Sequence, residues 1–309
     1  MSLALRLGFR SNQVVMKPTK SIIAGVDFSA ASPSVIRHAV HAAKQGGYQV
    51  TAVHVLDSGS LAHRAASGGV NPVLEQLEAQ ARQRLQTLIA NEASGTEVAI
   101  EIRNGRPADE IHRLIGECQS PLLVIAANDL TKKRLGSIAS RCVRSAPCDV
   151  LVLRDWQDGD FRKVIVCADF SPSSSKVLER GVSLAEENGA ALEIVHVMYP
   201  PSKDIWGEVL DHAMDSPLSY ADECRAKVKR EMDALLSSQS ANLTKVQHQP
   251  VILESESSAM ALTRYAQESG ADLVVMGTRG QSKLASHFIG TNAERLMQDA
   301  TVSVFAVRF

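Results

Sequence analysis

The stretch VVMGTRGQSKLASHFIGTNAERL, residues 274–296, decides how this chain is read. The apolar run from Leu273 to Met276 has the look of a strand buried on both faces, and Asn292 to Met297 opens a helix. Between them stand Gly277, Gly280 and Gly290-Thr291, glycines placed where backbone must approach something closely. Gly290-Thr291 falls where a helix offers free N–H groups and the positive end of its dipole, a natural seat for phosphate. Arg279 and Lys283, the charged residues between Gly277 and Gly290, are both positive. An ordinary glycine-containing loop between strand and helix is the alternative reading of the same residues.

Working outward, the chain is a repeat. Asp27-Phe28-Ser29 returns as Asp169-Phe170-Ser171, an offset of 169 − 27 = 142. Val53-His54-Val55 returns as Val195-His196-Val197, again 195 − 53 = 142. Two tripeptides at one offset, each at the end of an apolar run, mark an internal duplication. Further on, Val124-Ile125-Ala126 matches Val274-Val275-Met276 at 150, and Gly136-Ser137 matches Gly290-Thr291 at 154. The difference predicts a strand-to-helix loop four residues shorter in the first half.

Each half alternates apolar runs with helical patterns. Strands are expected near 21–26, 49–55, 97–102, 121–126 and 149–153, then near 163–168, 191–197, 246–253, 272–277 and 302–308. Helices are expected near 32–45, 71–92, 107–117 and 137–145, then near 172–188, 216–237, 257–269 and 291–299. Ser32-Pro33 and Ser171-Pro172 suggest N-caps before a first-turn proline, and Gly46-Gly47 and Gly189 suggest left-handed helix ends. Alternation of this kind argues an α/β fold: two tandem parallel sheets of five strands with helices on both faces. The polar segment 154–162 reads as a linker, and the Gly/Ser/Ala-rich stretch 56–70 as a mobile loop. The stretch 198–215, with Pro200-Pro201 and Trp206, stands at the equivalent place in the second half. Val150–Leu153 can pair with Val304–Val307, which would otherwise be an exposed apolar edge, making a pseudo-dimer within one chain.

Composition bounds the rest. With 309 residues, 45% apolar residues and a formal net charge of −1, the chain suggests two domains and shows no overall electrostatic pull toward nucleic acid or anionic membrane. Five cysteines without a C-x-x-C pair fit reduced thiols in a cytoplasmic protein better than a disulfide framework or a zinc site. Residues 1–17 carry three basic residues and no acid. They read as a disordered or loosely docked extension: a weak targeting segment, an expression remnant, or residues upstream of a start at Met16.

The spacing Gly-x2-Gly-x9-Gly-Thr, the two Asp-Phe-Ser and the two Val-His-Val motifs resemble the tandem universal stress proteins over about 18–309. That resemblance implies a Rossmann-like (adenine nucleotide alpha hydrolase-like) fold, with a first domain at 18–156 and a second at 157–309. It also implies a site in the second domain. Asp169 would contact the nucleoside and Cys167 and Ala168 would line the crevice. Val197 would read the adenine edge through its backbone, and Met276 would pack near sugar or base. Gly277, Arg279, Gly280, Gly290, Thr291 and Asn292 would hold the phosphates of ATP. Mg²⁺ would come with the nucleotide, on phosphate oxygens and water. Read from the residues alone, Asp169 is equally an Asx-type cap, Met276 a core residue, and His54 and His196 structural or pocket-lining.

The first half departs from the pattern: Ala127-Asn128-Asp129-Leu130 stands against Gly277-Thr-Arg-Gly280, with Asp129 for Arg279 and Leu130 for a glycine. The first half is therefore expected to keep the fold and bind ATP poorly. No catalytic constellation is visible, and His287 reads as a solvated loop residue. The leading function is a cytoplasmic stress-response protein using ATP as a conformational or assembly switch. Alternatives are a nucleotide-free interaction module of the same fold and a slow ATPase or nucleotide-dependent transferase. Expected partners are adenine nucleotide, the other half of the chain and a second copy as homodimer, with neither nucleic acid nor membrane.

Overall fold

The computed structural model describes residues 20–57, 70–127, 135–154, 160–201, 219–278 and 290–309. The first half contains β1 (Ser21–Gly25), α1 (Ser32–Gly46), β2 (Gln49–Asp57), α2 (Val70–Glu92), β3 (Val98–Gly105), α3 (Pro107–Glu117), β4 (Leu122–Ala126), α4 (Ser137–Ser145) and β5 (Asp149–Leu153). The second contains β6 (Lys163–Cys167), α5 (Ser174–Asn188), β7 (Ala191–Met198), α6 (Tyr220–Ser238), α7 (Ser240–Leu243), β8 (His248–Glu254), α8 (Ser258–Glu268), β9 (Leu273–Gly277), α9 (Thr291–Asp299) and β10 (Ser303–Val307). The expected extension at 1–17 and the loop 58–69 lie outside the described residues, as do Trp206 and His287.

All ten strands join one sheet in the order β3-β2-β1-β4-β5-β10-β9-β6-β7-β8. Pairing is parallel within each half, and β5 meets β10 antiparallel with Val304 opposite Val152 and Ala306 opposite Val150. The terminal strand is thereby buried along its whole length instead of lying at an edge. Apolar side chains cover both faces. One layer packs Ile22, Val164 and Phe305 under α1 and α5. The other packs Ile23, Ile165 and Val304 under α3, α4, α8 and α9. Strands buried on both faces explain why SIIAG, KVIVC and LVVMG are nearly continuous apolar runs.

The ladders correct the alignment of the halves. Ile23 pairs with Leu123, and its repeat mate Ile165 pairs with Val274, an offset of 274 − 123 = 151 in this strand. The tripeptide match at 150 is one residue out of register, because short Val/Ile/Ala runs slide past one another without penalty in sequence. With α4 and α9 offset by 291 − 137 = 154, the second-half loop is three residues longer, not four. Ala126 therefore stands where the second half has Gly277, and by count Asp129 falls opposite Gly280.

The expected N-caps are also displaced. Ser32 already lies inside α1, and its hydroxyl donates to Asp27 Oδ1 at 3.1 Å. α5 starts at Ser174, whose hydroxyl donates to Asp169 Oδ1 at 2.7 Å. Both serines serve the aspartate in the preceding turn rather than the helix end. The left-handed ends are as read, with Gly47 at φ 66° and Gly189 at φ 62°.

Burial has a consequence on α1. His38 is 9% exposed, its ring 5.1 Å from that of Phe161. Burial, followed by the nearby His41 and Arg37, lowers its pKa from 6.5 to about 3. Between those values the unfolded chain takes a proton that the folded one refuses. This group's contribution to stability is therefore held above pH 6.5 and lost as pH falls, at about 1.4 kcal/mol per pH unit. Wild type is expected to lose more thermal stability than His38→Phe between pH 7.5 and about 4.5, compared by melting curves of both proteins. Equal losses would show that folded His38 takes its proton as readily as the unfolded chain does.

Candidate functional site

In each half the sheet runs outward in one direction from its first strand through the second to the third, then places its fourth strand on the other side of the first. Such reversals open a crevice beyond the carboxyl ends of the two central strands, where ligands of open α/β sheets bind. In the second half these strands are β6 and β9. Cys167, Met276 and Val197 share one apolar layer there, with Met276 only 3% exposed. Ala168 turns to the opposite layer and is buried. Arg279 and Gly280 lie outside the described residues.

The motifs that revealed the repeat form one physical unit. His196 Nδ1 meets Ala168 O at 2.8 Å, and the Phe170 ring stacks on the imidazole at 4.1 Å with φ 55°. In the first half His54 Nδ1 meets Val26 O at 2.8 Å, and Phe28, at φ 60°, lies 4.4 Å from the imidazole. A phenylalanine in the left-handed region costs about 1–3 kcal/mol and persists only where its surroundings fix it. Here ring contact and carbonyl capture do so, on either side of the aspartate that precedes the phenylalanine. Since a carbonyl only accepts, Nδ1 carries the proton in each imidazole. Sequence reading left both histidines as structural or pocket-lining; the carbonyl each one bonds, 28 residues away, gave no local signal.

Asp169 is half-buried and its Oδ1 accepts from Ser171 N at 3.0 Å and Ser174 Oγ at 2.7 Å. Asp27 repeats this with Ser29 N at 2.9 Å and Ser32 Oγ at 3.1 Å. The Asx-type turn is therefore present in both halves. Cys167 is half-buried, and burial, with the Asp169 charge adding to it, pushes its thiol up to about 12. At neutral pH that thiol is protonated and is no nucleophile.

Thr278, which sequence reading passed over, ties the crevice together. Its N–H and hydroxyl both donate to Val307 O, at 3.1 and 3.2 Å, and its carbonyl accepts from Gly290 N at 3.3 Å. The two ends of the glycine-bearing loop are thus held beside each other. Gly290 is the N-cap of α9, at φ −60° and ψ 144°, with no side-chain cap. The N–H groups of Thr291 and Asn292, both exposed, have no acceptor within the helix. A Cβ added to Gly290 would meet nothing within 4 Å. Neither backbone conformation nor packing among the described residues demands glycine here. Gly136 at the start of α4 has nearly the same geometry, φ −61° and ψ 155° without a side-chain cap, so the halves differ in the loop before the helix and not in the helix start.

The family model described as universal stress protein family matches residues 18–154 and again 160–308. The chain belongs to the universal stress protein family. Among its relatives, universal stress protein YxiE of Bacillus subtilis is 31% identical over 150 residues, 48% of this chain and 99% of its own length. Universal stress protein G of Escherichia coli O157:H7 is 31% identical over 141 residues, 44% of this chain and 99% of its own length. These relatives match about half of the chain, in keeping with two universal stress protein units in tandem. The solved universal stress protein of Archaeoglobus fulgidus DSM 4304 covers 93% of this chain and 96% of its own, with TM-score 0.65 and 17% identity. A functionally unknown protein of Pseudomonas aeruginosa PAO1 covers 94% and 92%, with TM-score 0.65 and 14% identity. Likeness at these identities establishes the fold alone.

Proposed function

We propose that this universal stress protein binds ATP in its second half and uses it as a conformational or assembly switch. The observation that carries the reading is the pairing of Thr278 with Gly290 at the crevice beyond β6 and β9. It brings an uncapped helix start to the place where open α/β sheets take ligands. The residues fit the group: among the described residues nothing lies within 4 Å of a Cβ built at Gly290, whose backbone is ordinary, so a phosphate oxygen can approach there. Thr291 and Asn292 would hold phosphate through their N–H groups; Arg279 and Gly280, outside the described residues, are proposed as further phosphate contacts on their sequence alone. Asp169 would meet the nucleoside, with Cys167, Val197 and Met276 as the apolar side of its cradle. Mg²⁺ would come with the nucleotide, held by phosphate oxygens and water.

The proposal takes 18–156 and 157–309 as the domains and the β5–β10 pairing as their pseudo-dimer contact. The first domain, with Ala126 in place of Gly277 and Asp129 in the loop, is taken to bind nucleotide weakly. Five free thiols support a reducing compartment, and the cytoplasm is the proposed location. No helix among the described residues is long and apolar enough to cross a membrane.

The test is a count. Protein purified without added nucleotide is denatured, and the released small molecules are quantified by mass spectrometry. About one adenine nucleotide per chain, or one-site calorimetric binding of Mg-ATP, is expected from a single working site. Two per chain would overturn the assignment of the first half. None by either method would leave a nucleotide-free interaction module.

A further inference from the structure

In the first half, a cleft of about 480 Å³ lies between the start of α1 and the last turns of α2. That is the size of small-molecule sites. Phe28 and Arg84 both line it, and the guanidinium lies over the phenyl ring at 4.0 Å. The ring is itself held against His54. Arg84 is exposed, so the stack fixes the plane of the guanidinium without burying it. Among the described residues its N–H groups have neither a hydrogen bond nor an ion pair. Gln83 and Asn91, exposed on the same helix, add side-chain amides that are also without a bond among the described residues.

The electrostatics have one sign. Among the described residues no carboxylate lines the cleft, and Arg84 is its one charge. The acids that flank it in sequence have other partners: Asp27 Oδ1 accepts from Ser29 N at 2.9 Å and Ser32 Oγ at 3.1 Å, and Glu92 pairs with Arg37. The start of α1 adds the positive end of a helix dipole, with no acid in its first turn. The Thr87 hydroxyl is spent on Gln83 O at 3.1 Å. Ser29 Oγ is unpaired but has no exposed surface, so a guest does not reach it. What remains open is donor capacity: a planar cationic fork, pre-oriented on an aromatic face, with neutral amides beside it. That fork matches two oxygens of a carboxylate or phosphate.

The second half does not repeat the arrangement. Leu85, Leu88 and Ile89 of α2 correspond to Met232, Leu235 and Leu236 of α6, an offset of 232 − 85 = 147, all packed into the same apolar layer. Glu231 then takes the place of Arg84 and Arg230 that of Gln83, so the charges there sum to zero. Among the described residues no cation stacks on Phe170, the mate of Phe28.

We propose that this cleft binds a small organic anion through a carboxylate or phosphate group, forked on the edge of the Arg84 guanidinium. Half-buried Pro33 and Leu88 offer apolar contact to its body. The site belongs to the first half and does not rest on the nucleotide reading.

The probes are phenyl phosphate and benzoate, titrated into the full chain at pH 7.5 by calorimetry and followed by ligand-observed NMR. Phenol and phenethylamine serve as the neutral and cationic counterparts. Saturable binding of at least one anion is expected, weaker by at least about tenfold in Arg84→Gln, and the tighter of the two names the group. Arg82→Gln removes the same charge two residues away, at a side chain that reaches Ile100 O at 3.5 Å, and is expected to bind as wild type. Melting curves of both variants establish that they are folded. Equal binding of phenol, preference for the amine, or no saturable binding of either anion up to about 10 mM would each overturn the proposal. So would unchanged affinity in folded Arg84→Gln, or an equal loss in Arg82→Gln.

Discussion

Gly290→Val is expected to weaken Mg-ATP binding by at least about a hundredfold, near 2.7 kcal/mol, while the melting temperature changes little. The separation of the two effects follows from the local geometry. At φ −60° valine meets no backbone strain, and a Cβ touches nothing within 4 Å among the described residues. The cost to the fold is that of a poor N-cap residue in place of glycine, about 1 kcal/mol at most. The cost to binding is larger because the new methyl groups fill the space in which phosphate approaches the N–H groups of Thr291 and Asn292. Gly136→Val carries the same helix penalty at the nearly identical start of α4, φ −61° and ψ 155°, and is expected to leave affinity unchanged. Calorimetry with Mg-ATP on the pair reads the difference directly. Equal affinity in Gly290→Val and wild type would remove the helix start from the site. Equal loss in both variants would place a working site in each half.

Both the fold and the place of the crevice were legible in the sequence, because both depend on features that repeat or persist. Apolar runs buried on two faces and the 142-residue offset of two tripeptides fix ten strands and their alternation with helices. What escaped depends on partners distant in the chain. The one-residue slip between Val124 and Val275 arises because Val, Ile and Ala are interchangeable in a run, and only the ladder with Ile23 and Ile165 sets the register. The union of Asp-Phe-Ser with Val-His-Val is a bond between residues 28 apart. The short helix Ser240–Leu243 follows a break at Gln239 that carries no glycine or proline to announce it. Even the packing under the crevice is reciprocal. Gly25 admits Ile125, whose Cγ2 would lie 2.8 Å from a Cβ there, while Cys167 takes the place of Gly25 and the unbranched Met276 that of Ile125.

A second reciprocal exchange supplies the largest expected effect on stability. Lys163 Nζ lies 2.8 Å from Glu193 Oε1, and the Glu193 side chain is 4% exposed. The same two positions in the first half, 142 residues earlier, hold Ser21 and Thr51, whose hydroxyls are 2.8 Å apart. One sheet therefore accepts an ion pair or a hydroxyl pair at equivalent sites. Lys163→Met removes the cation and leaves the carboxylate with neutral donors, Gln249 Nε2 at 2.6 Å and the Tyr265 hydroxyl. A loss of about 3–5 kcal/mol is expected, since an uncompensated buried charge costs far more than the intact pair contributes. Replacing both residues, Lys163→Ser with Glu193→Thr, removes the charge together with its partner. The double variant is expected to be more stable than Lys163→Met, although it carries two substitutions. Urea unfolding of wild type, Lys163→Met, the double variant and its two single changes, Lys163→Ser and Glu193→Thr, at pH 7.5 tests this. A double variant as unstable as the sum of its single changes would mean that the ion pair is not what holds Glu193 in the sheet.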